Sequence, residues 1–445
     1  MTTGLARSPR EASLRATPLG CAVFRVGFVY WTLFCIPVVA TQVVGLEWIG
    51  RAIAGSWDAL AQWAGKALFA IPYELSTVDN GSGDRAGHWV LVCCIACLAL
   101  IAAAAWSLFD RARSDDARAR ALLVVIVRYT LAAAVLGDGL LRLFAVPFPA
   151  PSPARLLQRY GDSSPMGLLW TFMGASPAYV CCSGAMEVVG AALLLARRTT
   201  TLGALVLTCV LTNSVALNFC YDVPLKINSV HYLAMCGLLV LPDLRRLADV
   251  LWFHRPTQPS ALVGAGVCRT RGVRVARLAI KSSLIGIVVI GAVATADGHL
   301  PRATPRSWCD GFWQVTRFAR DGRDVAAIAG DATRWAQLRF QAMDHQVLVR
   351  WGYMDDSIGD LYSVELDEGS QIARFTHERA EDAPNRPMQP AAIVFSYTQP
   401  DPRHVTLDGR LGDQALTVDL ERLDTDHMVL GSRGFHWISE QPYNR

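Results

Sequence analysis

The chain has 445 residues, of which 52% are hydrophobic and only 18% are charged, and its mean hydropathy is +0.28. This composition is too apolar for an ordinary soluble enzyme. Residues 1–303 hold 27 Lys or Arg against 16 Asp or Glu, whereas residues 304–445 hold 15 Arg against 22 Asp or Glu. We therefore predict a basic transmembrane domain over 1–303 and an acidic soluble domain over 304–445. The overall pI averages two opposite charges, so it gives no reason to expect nucleic acid as a partner.

Seven apolar stretches are long enough to cross a hydrocarbon core about 30 Å thick. They cover residues 22–45, 89–109, 122–147, 177–196, 202–220, 224–241 and 279–297. After the first stretch, residues 46–68 repeat apolar side chains at steps of three or four. That spacing predicts an amphipathic helix on the outer membrane surface. After the third stretch, Ser164 followed by Pro165 predicts the start of a short helix.

The placement of arginine predicts how the helices are oriented. Basic residues cluster at the N-terminus, in the second-to-third connection, in the fourth-to-fifth turn and in the sixth-to-seventh link. The alternate loops carry far fewer positive charges. Because cytoplasmic loops are enriched in Lys and Arg, we predict a cytoplasmic N-terminus and, with seven spans, an external position for 304–445.

From about residue 311 the hydrophobic period changes to two, as in β-strands. Examples are residues 337–340, 347–351, 362–366 and 416–420. Turn signals lie between such runs, notably at 367–369 (Asp-Glu-Gly) and 407–409 (Leu-Asp-Gly). About eight short, regularly spaced strands predict an antiparallel β-barrel. The opening at 311–313 (Gly-Phe-Trp) resembles the Gly-x-Trp start of lipocalin-like barrels.

Polar side chains interrupt four of the predicted spans. They are Asp138, Arg142, Glu187, Asn213, Asn218 and His231. A charged group in lipid costs roughly 2.5–3.5 kcal/mol on insertion scales, so such residues normally face one another or a water-filled cavity. At 1.5 Å per residue, Glu187 would lie roughly 15 Å and Asp138 roughly 13 Å below the outer surface. We predict an outward-facing polar pocket; the alternative is a set of interhelical hydrogen bonds and one ion pair that only fix the packing.

Arg142 has two possible ion-pair partners. It could pair with Asp138 on its own helix or with Glu187 across the bundle, and either choice leaves one carboxylate without a full counter-charge. Such a carboxylate is suited to proton transfer. A permanently protonated, hydrogen-bonded acid is the alternative for Glu187.

The segment from Asp222 through Lys226 to His231 lies at the predicted outer mouth of the same region. Lys226 is one of three lysines in a chain with 39 arginines, which favours a role that Arg could not fill, such as a base. The alternative is a lysine that extends to lipid headgroups. The pair Cys94 and Cys97 has redox spacing but lies inside an apolar helix, which favours packing. No motif predicts a metal site.

Two runs of sequence resemble the DoxX family. Residues 187–198 (EVVGAALLLARR), followed by 201–205 (TLGAL), are similar to its Glu-x-x-Gly-x-x-Leu-Leu core. Residues 137–144 (GDGLLRLF) resemble its Gly-x-x-Lys-Leu-Phe-like helix end, with Arg142 at the basic position. The resemblance covers roughly 120–245, about a quarter of the chain, and small members have about four spans and no acidic barrel. It implies a long member of a family of bacterial inner-membrane proteins, some linked to quinone-dependent sulfur oxidation or to thiol oxidative stress.

The function we expect is that of a DoxX-like inner-membrane protein. It would bind a quinone or similar amphipathic molecule and, with a membrane redox partner, assist redox or proton transfer. In this hypothesis Glu187 and Asp138 handle protons, Arg142 balances charge, and Lys226 and His231 contact a polar head, with Asn213, Asn218 and Asp222 as further ligand-binding residues. One alternative is a non-enzymatic scaffold that anchors a periplasmic lipid- or protein-binding barrel. Another is an enzyme similar to vitamin-K-dependent carboxylases, in which Lys226 would be the base.

Overall fold

The computed structural model describes most of the chain. The described residues are 18–42, 47–77, 81–110, 116–151, 155–156, 158, 160–260, 271–299, 308–343, 346–355, 358–378, 392–424 and 428–432. Contacts between Cα atoms divide the chain into two compact units, one of residues 1–149 with 164–299 and one of residues 150–163 with 300–445. The first is helical, and the second is built on a β-sheet.

The helical unit contains ten α-helices among its described residues. They are α1 (Pro18–Gln42), α2 (Glu47–Ala67), α3 (Ala86–Phe109), α4 (Ala117–Leu143), α5 (Pro165–Gly174), α6 (Pro177–Leu194), α7 (Thr200–Cys220), α8 (Lys226–Val240), α9 (Leu244–Leu251) and α10 (Arg271–His299). Six segments of the described chain are long and apolar enough to cross a membrane: within α1, α3, α4, α6 and α7, and from α8 through α9. The predicted span 279–297 falls within α10, whose side chains are described only in part.

Two helices outside the predicted spans lie where the sequence predicted them. The expected amphipathic helix is α2, which packs Ala61 and Ala64 against Val90 and Cys94 of α3. Trp63, on its other face, is exposed. The short helix α5 begins as the sequence predicted, because the Ser164 hydroxyl accepts a hydrogen bond from the backbone N–H of Gly167 at 3.1 Å. Pro165 occupies the first helical position, where its missing N–H costs nothing.

Asp58 ties α2 to the loop that precedes α3. Its Oδ1 accepts hydrogen bonds from the backbone N–H of Thr77 at 2.6 Å and from the Thr77 hydroxyl at 3.0 Å. Its Oδ2 accepts from the Gln62 amide at 2.9 Å. These donors, the Thr77 N–H foremost, hold the pKa of the Asp58 carboxyl below its ordinary value.

This depressed pKa predicts a pH-dependent contribution to stability. A carboxyl group whose pKa is lowered by folding stabilises the folded state above its unfolded pKa of about 3.9, and that stability is lost as the pH falls through the folded value. We expect Asp58→Asn to lower the free energy of unfolding by about 1 kcal/mol or less at pH 7, because water screens a partly exposed carboxylate. The difference from wild type should shrink at pH 3. Thermal unfolding in detergent measures both values, and an equal difference at both pH values contradicts the prediction.

The second unit is a closed antiparallel β-barrel. Its strands are β1 (Gly311–Arg320), β2 (Arg323–Asp324), β3 (Trp335–Met343), β4 (Gln346–Tyr353), β5 (Ile358–Asp367), β6 (Ile372–His377), β7 (Ala392–Asp401), β8 (His404–Leu411) and β9 (Gln414–Arg422). The two-residue β2 pairs only with the end of β1, and β1 continues to β3. From β3 onward each strand pairs with the next, and β9 returns to β1, for example with Phe318 opposite Val418. The predicted antiparallel barrel is confirmed, with eight strands in the closed ring.

Aromatic side chains fill the core of this barrel. Trp335 stacks on Trp351 with ring centroids 4.4 Å apart, and Trp351 stacks on Tyr362 at 4.9 Å. Trp313, Phe318, Phe375 and Phe395 are also among the largest fully buried side chains of the chain. Aromatic rings bury more apolar area than most side chains. The buried rings pack against one another and fill the interior of the barrel. A ligand inside the barrel would have to displace them.

One of the two turn signals in this region was predicted wrongly. The turn at 367–369 is present, and Asp367 Oδ1 accepts the N–H of Gly369 at 3.0 Å. Residues 407–409, in contrast, lie inside β8. A Cβ on Gly409 would lie 2.5 Å from a ring carbon of Phe395, so this glycine allows close packing of a buried ring, a common reason for glycine inside a strand. The turn comes later, at Gly412, where φ is +64°.

Candidate functional site

Helices α4 and α6 approach each other closely where each has a glycine. A Cβ on Gly139 would lie 2.9 Å from the carbonyl oxygen of Gly184, and a Cβ on Gly184 would lie 2.7 Å from that of Gly139. Small residues permit such close backbone contacts between membrane helices. The contact sets Glu187 beside Gly139 and Arg142 beside Gly184. Both long polar side chains therefore start from the same seam between the helices.

Arg142 and Glu187 form an ion pair across this seam. The guanidinium Nη1 of Arg142 donates to Glu187 Oε1. The Glu187 side chain is only 3% exposed, whereas that of Arg142 is 23% exposed. The second carboxylate oxygen, Oε2, is buried and has no hydrogen-bond partner within the described part of the chain. Buried polar atoms are normally satisfied, so this carboxylate retains capacity for a further donor.

A cavity of about 430 Å³ adjoins the ion pair, between α4, α5, α6 and α7. Polar side chains that line it are Asp138, Arg142, Ser183, Asn213, Ser214 and Asn218. Its apolar and aromatic lining includes Leu141, Phe148, Trp170, Tyr179, Met186 and Leu217. The volume lies within the range of about 300–1,000 Å³ that is typical of small-molecule sites, as is a mostly apolar wall with a few polar groups.

Four of the predicted site residues meet at this cavity. Asp138 is exposed there, one helical turn before Arg142 on α4. Asn213 and Asn218 line it from α7, and the Asn218 amide donates to the backbone carbonyl of Leu225 at 3.3 Å. Glu187 is not one of the lining residues and is connected to the cavity only through its ion pair with Arg142. The cavity wall itself therefore carries one carboxyl group, one guanidinium and two amides among the predicted residues. Such a set can donate hydrogen bonds, accept them and exchange protons.

Lys226 and Asp222 are held in a separate cluster at the start of α8. The Lys226 Nζ donates to Asp222 Oδ1 at 2.9 Å and lies 3.8 Å from Asp84 Oδ2. Asp84 also accepts the backbone N–H groups of Lys226 at 2.7 Å and of Ile227 at 2.9 Å, so it caps the helix. The Lys226 ammonium is therefore paired with two carboxylates at the start of α8, and it does not line the cavity at Arg142. Asp84 was missed by the sequence analysis because nothing in its own segment indicates a partner 142 residues away.

His231 lies between α8 and α1. One ring nitrogen, Nδ1, donates to the backbone carbonyl of Ile227 at 2.7 Å, and the other, Nε2, lies 2.6 Å from the Tyr30 hydroxyl. The ring stacks on Phe34 with centroids 4.2 Å apart. Both nitrogens are therefore engaged, and His231 does not line the cavity at Arg142. In the described parts of the chain, no three His, Cys, Asp or Glu side chains are grouped as a metal ion would require.

Comparison with known proteins finds a short relative of unknown activity. A segment of 83 residues, 19% of this chain, is 34% identical to "Uncharacterized protein YwoB" of Bacillus subtilis (strain 168) and covers 54% of that protein. The chain thus spans about half the length of the curated relative it matches. No family model matches the chain, and no solved structure matches it.

Proposed function

We propose that the helical unit is a DoxX-like inner-membrane component that binds a quinone or a similar small amphipathic molecule in the cavity at Arg142. There it assists redox or proton transfer. The observation that carries the proposal is the half-satisfied Arg142–Glu187 pair next to a cavity that Asp138 also lines. The proposal includes seven membrane spans, a cytoplasmic N-terminus and a periplasmic, lipocalin-like barrel.

The lining chemistry fits a quinone head. Quinone carbonyl oxygens accept hydrogen bonds, which Arg142 and the amides of Asn213 and Asn218 can donate. Quinol hydroxyls donate hydrogen bonds, which the carboxylate of Asp138 at the cavity wall can accept. The rings of the apolar wall provide packing surface for the quinone ring.

Reduction of a quinone to a quinol takes up two electrons and two protons. Asp138, which lines the cavity, and Glu187, which is paired with Arg142, would pass the protons, and the electrons would come from a membrane redox partner. General acid–base groups typically contribute 10²–10⁴-fold to a rate. In this reaction Glu187→Gln should therefore reduce quinone-linked turnover by roughly a hundredfold or more.

A matched pair of substitutions on α6 tests occupancy of the cavity. Met186 lines the cavity and is 49% exposed, whereas Val189 is 50% exposed and is not part of the lining. We expect Met186→Trp to fill the space and to reduce bound quinone by about tenfold, and Val189→Trp to leave it unchanged. The measurement is mass spectrometry of quinone extracted from protein purified out of native membranes, repeated after incubation with added ubiquinone.

Two results would refute the proposed ligand. The first is wild-type protein that retains no quinone above the detergent blank and takes up none when it is supplied. The second is equal quinone retention by Met186→Trp and Val189→Trp. A redox role without proton transfer would appear as turnover that Glu187→Gln leaves intact.

A further inference from the structure

A second cavity, of about 470 Å³, lies at the opposite end of α7 from the first. Two basic segments from separate connections meet there: Arg197 and Arg198 from the turn between α6 and α7, and Arg246 from the start of α9. The remaining wall is largely apolar. Its other lining residues are Thr201, Leu202, Leu205, Leu247, Pro259 and Ser260. The cavity therefore has one cationic side and one hydrophobic side.

Asp243 holds the segments around this cavity together. Its side chain is 3% exposed, and its Oδ2 accepts the hydroxyls of Thr201 at 2.5 Å and of Ser260 at 2.8 Å. The same oxygen lies 3.6 Å from Arg246 Nη1. The site is thus a built structure, with one carboxylate fixing segments from α7, α9 and the chain that follows α9.

The charge of the cavity is positive even with Asp243 included. Three guanidinium groups line it, and the carboxylate of Asp243 already accepts two hydroxyls. The Nε of Arg246 is buried and has no hydrogen-bond partner within the described residues. The first turn of α7 begins at Thr200, and the partial positive charge of a helix N-terminus has the same sign. An anion is the ligand that this electrostatic arrangement favours.

We propose that this cavity binds an anionic phospholipid. Arginine guanidinium groups match phosphate oxygens in a bidentate geometry, and Arg198 and Arg246 would hold the headgroup phosphate. Leu202, which is 54% exposed, and Leu205 would contact an acyl chain. Basic pockets between membrane helices on the cytoplasmic side are typical sites for such headgroups, and arginine placement predicts that this end of the bundle lies on that side. The apolar wall is the reason to prefer a lipid over free phosphate.

The test uses the full-length protein in a neutral detergent, where no charged bilayer adds a general attraction. Dioleoylphosphatidylglycerol, dioleoylphosphatidylcholine and sodium phosphate are titrated separately, and binding is measured by native mass spectrometry and by the shift in thermal unfolding. Each substitution would remove a charge-assisted hydrogen bond to the phosphate and its contribution to the binding free energy. We therefore expect Arg198→Gln and Arg246→Gln each to weaken phosphatidylglycerol binding about tenfold. Arg245→Gln is the control, because Arg245 is exposed and does not line the cavity. It should change the affinity by less than about twofold.

Each outcome bears on the proposal. Selective binding of phosphatidylglycerol that both variants weaken supports it. If Arg246→Gln lowers the unfolding temperature without lipid, because the buried Asp243 loses its cation, the exposed Arg198 alone decides. Arg198→Lys, which keeps the charge on an exposed side chain, should retain part of the affinity. Equal affinity for phosphatidylcholine would overturn the proposal. So would full stabilisation by sodium phosphate alone, which would assign the cavity to a free anion, or equal effects of Arg245→Gln and Arg246→Gln.

Discussion

Replacing Arg142 with methionine is expected to destabilise the helical unit by about 3–5 kcal/mol. The substitution would leave Glu187 buried without its counter-charge, and one of its oxygens already lacks a hydrogen-bond partner within the described residues. Breaking a buried pair by removing one partner costs far more than the pair contributes, because the remaining charge is neither hydrated nor compensated. Unfolding in detergent with increasing denaturant measures the loss.

The double variant Arg142→Met with Glu187→Met separates folding from binding. Replacing both members of a buried pair by apolar residues of similar size is often neutral or stabilising, so most of the lost stability should return. Retention of the proposed quinone should not return, because the Arg142 guanidinium that would donate to it is gone. Arg118→Met, at an exposed position near the start of the same helix, is the control and should have little effect. A double variant as unstable as Arg142→Met would show that the ion pair is not the cause.

Much of the fold could be predicted because local chemistry determines it. The Ser164–Pro165 helix start depends on one side chain and one ring, and the strands depend on alternation along a single segment. The turn at 407–409 was predicted wrongly for the opposite reason. Asp-Gly is a good turn signal, but the use of Gly409 is set by Phe395 on the neighbouring strand β7. Such a requirement appears only once the strands are paired.

The candidate site likewise has features that the sequence predicts and features that depend on how the helices pack. Apolar spans interrupted by Asp138, Arg142 and Glu187 were visible in the sequence, since lipid makes each such residue conspicuous. The sequence does not determine which partner Arg142 takes, because the choice depends on which helices are neighbours and how closely they pack. The separation of His231 from the cavity is equally non-local, since its contacts with Tyr30 and Phe34 come from α1.

Replacing glycine with alanine is expected to have opposite effects inside and outside the close contact of α4 and α6. Gly184→Ala would place a methyl group 2.7 Å from the carbonyl oxygen of Gly139 and 2.8 Å from Arg142 Cβ. The helices must separate, and overpacking of this kind costs about 1–3 kcal/mol. Gly237 in α8 has no atom within 4 Å of an added Cβ. There the alanine should be neutral or stabilising by up to about 1 kcal/mol, because it removes the conformational cost of glycine in a helix.

Gly139→Ala extends the comparison to the other side of the same contact. Either methyl group alone would push α4 and α6 apart at the same contact. The double variant Gly139→Ala with Gly184→Ala should therefore lose less stability than the sum of the single variants. The widened seam should also draw Arg142 away from Glu187, so each single variant should lose the quinone proposed for the cavity along with stability. Denaturant unfolding and ligand extraction on the same samples measure both effects. Additive losses, or ligand retention unaffected by Gly184→Ala, would mean that this glycine contact does not position the ion pair.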